Sequence, residues 1–368
     1  MIVDCHAHVF ENWHGACGHP SIDVHLKYIQ KNVTRPAAEA FRVRDGKRVK
    51  PGLLFREGGN PLVDNTWQGL KDVGFRIGRY GRLEFMHEGE EYAIQYMPVG
   101  MQTIESPPEF MLAQMLYAGV DHCILQAGGG YGAMNDYNAF TQSAFPEKFT
   151  GLLHIDEAVA DREDMLAEVD RAHRTLGLKG LYYSHDFSRH GYARNLDHDA
   201  FRPFWDKIAT YGLPAFVELS QTPNYDRPSY IANLLALDRV MQRHPALRFV
   251  LVMGPPVGHF VKNGKWDFPP EVLAAYRRDN LMIEIMFPIT WGGVWEYPYS
   301  EAQELIRHMR DLFGAAKLVW GSDMPNLERF CTYRQCVDYV RRHCPFLSAA
   351  EKDAVLGGNA AQLFNLAA

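Results

Sequence analysis

HDAFRPFWDKIATYGLPAFVELSQ, residues 198–221, joins two patterns in one stretch. Up to Gly212, apolar residues recur at spacings of three and four, the period of an amphipathic helix. Beyond it comes a short apolar run that reads as a buried strand. A helix feeding directly into a buried strand is the unit of a parallel sheet, because parallel neighbours need a long crossover rather than a tight turn.

The same unit recurs along the chain. Strand-like runs occur at 2–10, 120–128, 149–157, 178–186, 213–221, 248–256, 280–288 and 317–325. Amphipathic stretches precede the fourth (161–177), fifth (198–212), sixth (228–245) and eighth (300–314). Eight alternations of strand and helix predict a (β/α)8 TIM barrel. The 368 residues suit a single barrel domain spanning 1–368 with insertions.

The spacing breaks once, between the first and second runs. Residues 11–105 are too long for a plain loop and read as an inserted cap over the barrel mouth. Within it, RLEFMHEGEEYAIQYM (82–97) predicts two strands around a His-Glu-Gly turn. After it, SPPEFMLAQMLYAG (106–119) predicts a helix capped by Ser106. KNGKWDFPP (262–270) reads as a solvated loop, and GGGYG (128–132), without the lysine of a phosphate loop, as a flexible one. Trp67, Phe75, Tyr80, Tyr92 and Tyr96 make the insertion aromatic, which suits either its own core or a planar ligand.

Composition narrows the function classes. Hydrophobic residues make up 47% and charged residues 22%, the balance of an ordinary globular protein, and the net charge is -6. No basic tract stands out, so nucleic acid is not an expected partner. No apolar run is long enough to span a bilayer, and the N-terminus lacks the features of a signal peptide. Six scattered cysteines without a CxxC suggest reduced thiols in a cytoplasm.

Barrel active sites gather at the C-terminal ends of strands. The first run ends in His6-Ala7-His8; alternation puts both imidazoles on one face, with Cys5 and Ala7 on the other. Two imidazoles so placed can chelate one cation. Asp323, just beyond the last run, can bind a metal or take a proton from metal-bound water. Glu218 and Glu284 each sit inside an apolar run, where an unpaired carboxylate is costly unless protonated or metal-bound. No run carries a cation near its C-terminal end to pair with them. His185, ending the fourth run, is a further candidate ligand. Gln126 and His154, ending the second and third, and Met253, ending the sixth, are placed as substrate contacts. His14, Cys17, His19 and His25 form only a loose zinc-like cluster and read as loop residues near the mouth.

Several of these segments share a further likeness. The D-x-H-x-H of residues 4–8, AGVD, FPEKFTGLLHID, LGLKGL, YGLP, RHPALRFVLVMG, WGSDMP and LGGNAAQLF are similar to segments of the amidohydrolase superfamily. The resembling branch is the amidohydrolase-2 group, which includes aminocarboxymuconate semialdehyde decarboxylase and related aromatic decarboxylases. The likeness covers 1–10 and 110–368. It implies that His6 and His8 are metal ligands and that Asp323 is a ligand and general base. Where this group has a fifth-strand histidine, this chain has Glu218. Where it has a sixth-strand histidine before glycine, this chain has Met253, which can neither move a proton nor bind a hard cation well.

The expected function is therefore metal-dependent hydrolysis or non-oxidative decarboxylation of a small aromatic or cyclic substrate. Asp323 and Glu218 would be the catalytic carboxylates. His6, His8, Glu218, Asp323, Glu284 and His185 would be the ligand set, and zinc, manganese or iron the metal. The exchange of imidazoles for carboxylates supports an alternative, a non-haem monooxygenase with two irons. A third reading is an inactive binding protein. The resemblance also implies a homodimer.

Overall fold

The computed structural model describes residues 1–33, 39–49, 54, 70–128, 130–184, 194–219, 226–286 and 296–366. His185 and Trp67 lie outside the described residues. Strand β1 (Val3–Ala7) opens the chain. The insertion then contributes β2 (Ala40–Arg42), β3 (Arg48–Val49), β4 (Arg76–Ile77), β5 (Arg82–His87) and β6 (Glu90–Gln95). The barrel resumes with β7 (His122–Leu125), β8 (Phe149–Leu153), β9 (Gly180–Ser184), β10 (Ala215–Glu218) and β11 (Phe249–Val252). A small hairpin, β12 (Val261–Lys262) and β13 (Lys265–Trp266), precedes β14 (Leu281–Ile285) and β15 (Leu318–Trp320).

Eight parallel strands form one sheet in the order β1-β7-β8-β9-β10-β11-β14-β15, a TIM-like barrel. Each of the eight strand-like runs contains one of them. The ring closes just past β15: Ala7 bridges Met324 in parallel, His8 N–H donates to the Met324 carbonyl at 2.8 Å, and Asp323 N–H to that of His6 at 2.8 Å.

Alternation along the strands sorts side chains between two buried layers. Ala215 and Val217 of β10 face the helices, while Phe216 faces the lumen. Glu218, next in the alternation, therefore points inward above Phe216. In β14, Leu281, Ile283 and Ile285 face the helices, and the same parity turns Glu284 inward. The lower lumen is apolar, filled by Val3, Cys5, Ile124, Leu152, Val250 and Val319. Phe364, from the helix Asn359–Phe364, stacks on Phe216 at 6.0 Å and plugs that end. The polar end of the lumen is thus the C-terminal one.

The insertion leaves the barrel at Phe10 and returns at Ser106, two residues that pair as an antiparallel bridge. Its five strands form a separate antiparallel sheet in the order β3-β2-β6-β5-β4. The β5–β6 hairpin turns at Glu88 and Gly89, both at positive φ. A second apolar cluster, including Trp13, Leu83, Phe85 and Ile94, holds the insertion together. His25 is completely buried among these residues, its ring edge-on to Trp13, and neither ring nitrogen has a hydrogen-bond partner among the described residues.

Three local expectations change. Ser106 does not cap the following helix. Pro107 holds that position, and the Ser106 hydroxyl donates instead to the His8 carbonyl at 3.1 Å. The segment from 262 is no plain loop: Asn263 and Gly264, both at positive φ, make the turn of the β12–β13 hairpin, and Trp266 is buried. Cys5 is not on the face opposite His6 but lies in the lumen cluster, beside a register shift in β1. None of the six cysteines forms a disulfide. No described helix is long and apolar enough to cross a membrane.

Candidate metal centre

The site starts from an irregularity in β1. Asp4 pairs with Cys123 and Ala7 with Leu125, so β1 spends three steps where β7 spends two. The extra residue is a bulge, which breaks simple alternation. Cys5 lies in the lumen cluster and Ala7 faces the helices. His6 and His8 both point into the lumen, beside Asp323.

Asp4 holds this geometry. It is completely buried. Its Oδ1 accepts the N–H of His6 and the N–H of Ser322, each at 3.0 Å. Its Oδ2 accepts the Ser322 hydroxyl and the Tyr333 hydroxyl. One carboxylate therefore ties the bulged strand to the loop that carries Asp323. Burial lifts its pKa to about 6 against the pull of these bonds.

Each histidine is oriented through its Nδ1. His8 Nδ1 lies 3.0 Å from the Gln126 carbonyl, which can only accept, so the proton is on Nδ1 and the Nε2 lone pair is free. His6 Nδ1 lies 3.1 Å from both oxygens of Glu284. The two Nε2 atoms are 3.1 Å apart. Asp323 Oδ1 is 3.1 Å from His8 Nε2 and 3.7 Å from His6 Nε2. Ligands about 2.0–2.2 Å from one divalent ion stand roughly 3–3.6 Å from each other. The triangle of two nitrogens and one oxygen has that size. Among the described residues, His6, His8 and Asp323 are the only group of three or more potential ligands this close.

The electrostatics match. Burial would push the His6 imidazole down, but the negative charges of Glu284, Asp323 and Glu218 lift it to about 9. Burial and the neighbouring His6 charge hold His8 below its ordinary value. Burial would raise Asp323, yet the His8 bond, both imidazoles and a 2.9 Å bond from Asn326 to Oδ2 hold it below the usual carboxylate range. Cation density, whether protons or a metal, is what these carboxylates are arranged to receive.

The other sequence candidates fall into distinct places. Glu218, completely buried, accepts a hydrogen bond from Tyr182 on the neighbouring strand. Glu284 faces the Nδ1 side of His6, away from the two Nε2 atoms. Met253 adopts φ 64° and donates its N–H to Glu284 Oε2 at 2.5 Å. Gln126 supplies the carbonyl for His8, and its amide donates to the Cys5 carbonyl at 2.8 Å. His154 pairs with Glu157 at 3.1 Å and lines a cavity of about 390 Å³ with His19, Tyr28 and Arg171. That cavity is not lined by His6, His8 or Asp323. His14, Cys17, His19 and His25 form no ligand cluster: His14 bonds Asn12, and the Cys17 thiol points at main-chain carbonyls.

Sequence reasoning passed over three contributors. Asp4 was visible as the first letter of D-x-H-x-H, without a role. Tyr182 lies inside the fourth strand-like run, with nothing nearby in sequence to mark it. Tyr131, inside the Gly-rich segment, lies over His8 with ring centroids 4.3 Å apart and stacks on Phe10 at 4.9 Å. It gives the centre an aromatic wall. Asp4→Ala is expected to weaken metal uptake by roughly 10- to 100-fold, since support of this kind commonly contributes that much. Competition with a chromophoric chelator measures it; unchanged uptake would show that Asp4 serves folding alone.

A family model described as amidohydrolase matches residues 3–366 of the chain. An L-fucono-1,5-lactonase from Burkholderia ambifaria is 27% identical over 146 residues, covering 38% of this chain. The chain spans about half (48%) of the length of that curated relative. Among solved structures, a probable 2-pyrone-4,6-dicarboxylic acid hydrolase from Acinetobacter baumannii superposes with a TM-score of 0.53 at 14% identity, over 71% of this chain and 90% of that one. A dihydroxybenzoic acid decarboxylase from Polaromonas sp. JS666, with bound manganese and the inhibitor 2-nitroresorcinol, superposes with a TM-score of 0.51 at 15% identity, over 70% and 85%. At these identities the superpositions speak for the fold.

Proposed function

Because the chain belongs to the amidohydrolase family, we propose that it is a metal-dependent hydrolase that opens a small cyclic ester. The observation that carries this reading is the Asp323 carboxylate, 3.1 Å from His8 Nε2 and 3.7 Å from His6 Nε2 and steadied by Asn326. A divalent ion held by His6, His8 and Asp323 would polarise a carbonyl and make a bound water more acidic. Glu218, across the lumen, is the further carboxylate available to it. Asp323 takes a proton from the attacking water and returns it to the departing alkoxide. Tyr131, lying over His8, offers a flat aromatic wall for the substrate ring. The lactonase and pyrone hydrolase likenesses point to a lactone as the substrate class.

A second reading, decarboxylation of a hydroxylated aromatic acid, draws on the same aromatic wall and on the decarboxylase likeness. Asp323 favours the first, since its lowered pKa keeps it unprotonated, able to accept a proton from water but not to begin by protonating a ring carbon. A two-iron oxygenase would require Glu284 to leave His6 and bridge a second ion.

The test is an assay of chelator-stripped protein reloaded with manganese or zinc. With simple lactones, metal-dependent release of acid is expected. Carbon dioxide from dihydroxybenzoates, without lactone opening, would establish the second reading. Full turnover in the stripped protein would overturn both.

A further inference from the structure

Glu284 is a carboxylate sealed in the lumen, and its hydrogen-bond donors are all specific. Both of its oxygens lie 3.1 Å from His6 Nδ1. The Cys5 thiol donates to Oε1 at 3.5 Å. The Met253 N–H donates to Oε2 at 2.5 Å. A buried carboxylate needs such donors, because desolvation without them is expensive.

Two backbone features exist around this group. Met253 sits at φ 64°, a left-handed conformation that a side chain with a Cβ adopts at a penalty of roughly 1–2 kcal/mol. That conformation aims the amide at Glu284. Gly321 is the second feature. A Cβ built there would stand 1.9 Å from Glu284 Oε1 and 2.7 Å from His6 Cβ, so no larger residue fits while the two side chains stay paired. Three segments, after β11, within β14 and after β15, thus converge on one nitrogen of one histidine.

We infer that Glu284 is a positioning residue that fixes His6 with its proton on Nδ1 and its Nε2 lone pair free, and that the left-handed Met253 amide and the bare Gly321 are the devices that hold it there. The sequence expectation made Glu284 a ligand; here it stands one atom shell behind the ligand. A carboxylate on the far nitrogen of a metal-binding imidazole fixes ring orientation and raises ligand basicity. It also explains how methionine is tolerated at 253: the position contributes its main-chain N–H to the site. The inference rests on the metal-centre reading for what Nε2 holds, but the tautomer can be read without it.

The experiment uses cobalt(II) in place of the native ion, with affinity from chelator competition and geometry from the visible absorption. Glu284→Gln and Gly321→Ala should each keep the metal stoichiometry, lower affinity by roughly 10- to 100-fold and shift the cobalt bands. Met253→Gly, which keeps the N–H and suits the left-handed turn, should leave both unchanged. Unaltered affinity and spectrum in Glu284→Gln would overturn the inference. So would loss of one metal equivalent from a protein that takes up two, because Glu284 would then be a ligand. If the variants fail to fold, nitrogen-15 NMR of the wild-type histidines decides: a slowly exchanging Nδ1 proton on His6 supports the inference, and an Nε2 proton overturns it. The same spectrum recorded without metal at alkaline pH keeps this test alive if wild-type protein takes up no cobalt, an outcome that sinks the metal-centre reading alone.

Discussion

Asp323→Asn should lower turnover by about 10²- to 10⁴-fold, the range a positioned general base contributes, with the barrel intact. Asparagine has nearly the same shape and can still offer an oxygen towards His8. It also tolerates left-handed backbone, so the φ of 61° at this position adds no strain. What it lacks is a basic site for a proton. Its amide would also face the Asn326 amide that now donates to Oδ2 at 2.9 Å, so Asn326 must turn over. The Asp323 pKa lies below the ordinary carboxylate range, so loss of wild-type activity towards low pH should come from protonation of His6 and His8, which releases the ion, and not from the base itself. The variant should be slow at every pH. Steady-state rates of metal-loaded protein across pH provide the check, and a variant as active as wild type would place the base elsewhere.

His25→Leu should flatten the acid limb of the stability curve. Burial, with no hydrogen-bond partner among the described residues, holds the His25 pKa down at about 4 from an ordinary 6.5. Between those values the unfolded chain binds a proton that the folded chain refuses. The stabilisation is therefore complete above the unfolded pKa and is lost as pH falls towards the folded one. A shift of this size corresponds to about 3 kcal/mol, or on the order of a hundredfold in the folding constant. Leucine removes the titration and breaks no hydrogen bond to the described residues, among which neither ring nitrogen has a partner. Near neutral pH the variant should be about as stable as wild type, and by pH 4 more stable by roughly that 3 kcal/mol. Urea unfolding at several pH values measures it. Parallel curves for the two proteins would show that water already reaches the His25 ring.

The barrel could be read from the chain because each of its strands repeats one local pattern. LPAFVELS needs only its own residues to announce a buried strand with an inward carboxylate, and β10 delivers Glu218 to the lumen. The positions of His6, His8 and Asp323 followed from the same logic, strand ends in a closed ring. What escaped was set by contacts between segments distant in the chain. The bulge in β1 adds one residue and leaves no trace in composition, so Cys5 was placed on the wrong face. Glu284 reads as a ligand candidate in the sequence, where nothing near it shows that His6 presents Nδ1 to it. Ser106 had the chemistry of a cap, but the antiparallel bridge to Phe10 claims its backbone and turns its hydroxyl to His8. The hairpin at 261–266 is different: Asn263-Gly264 is a strong two-residue turn signal, and the residues that form it were there to be read.

The seam between β1 and β15 gives the centre a mechanical meaning. His8 and Asp323 stand 315 positions apart in the chain and on opposite sides of that seam. Any ion they share is a cross-link around the whole barrel, comparable in topology to a disulfide joining its first and last strands. The entropy removed by such a link grows with the logarithm of the loop it closes, and few loops in this chain could be longer. The barrel's last joint and its candidate reaction centre are one object, so its metal content and its resistance to opening should rise and fall together.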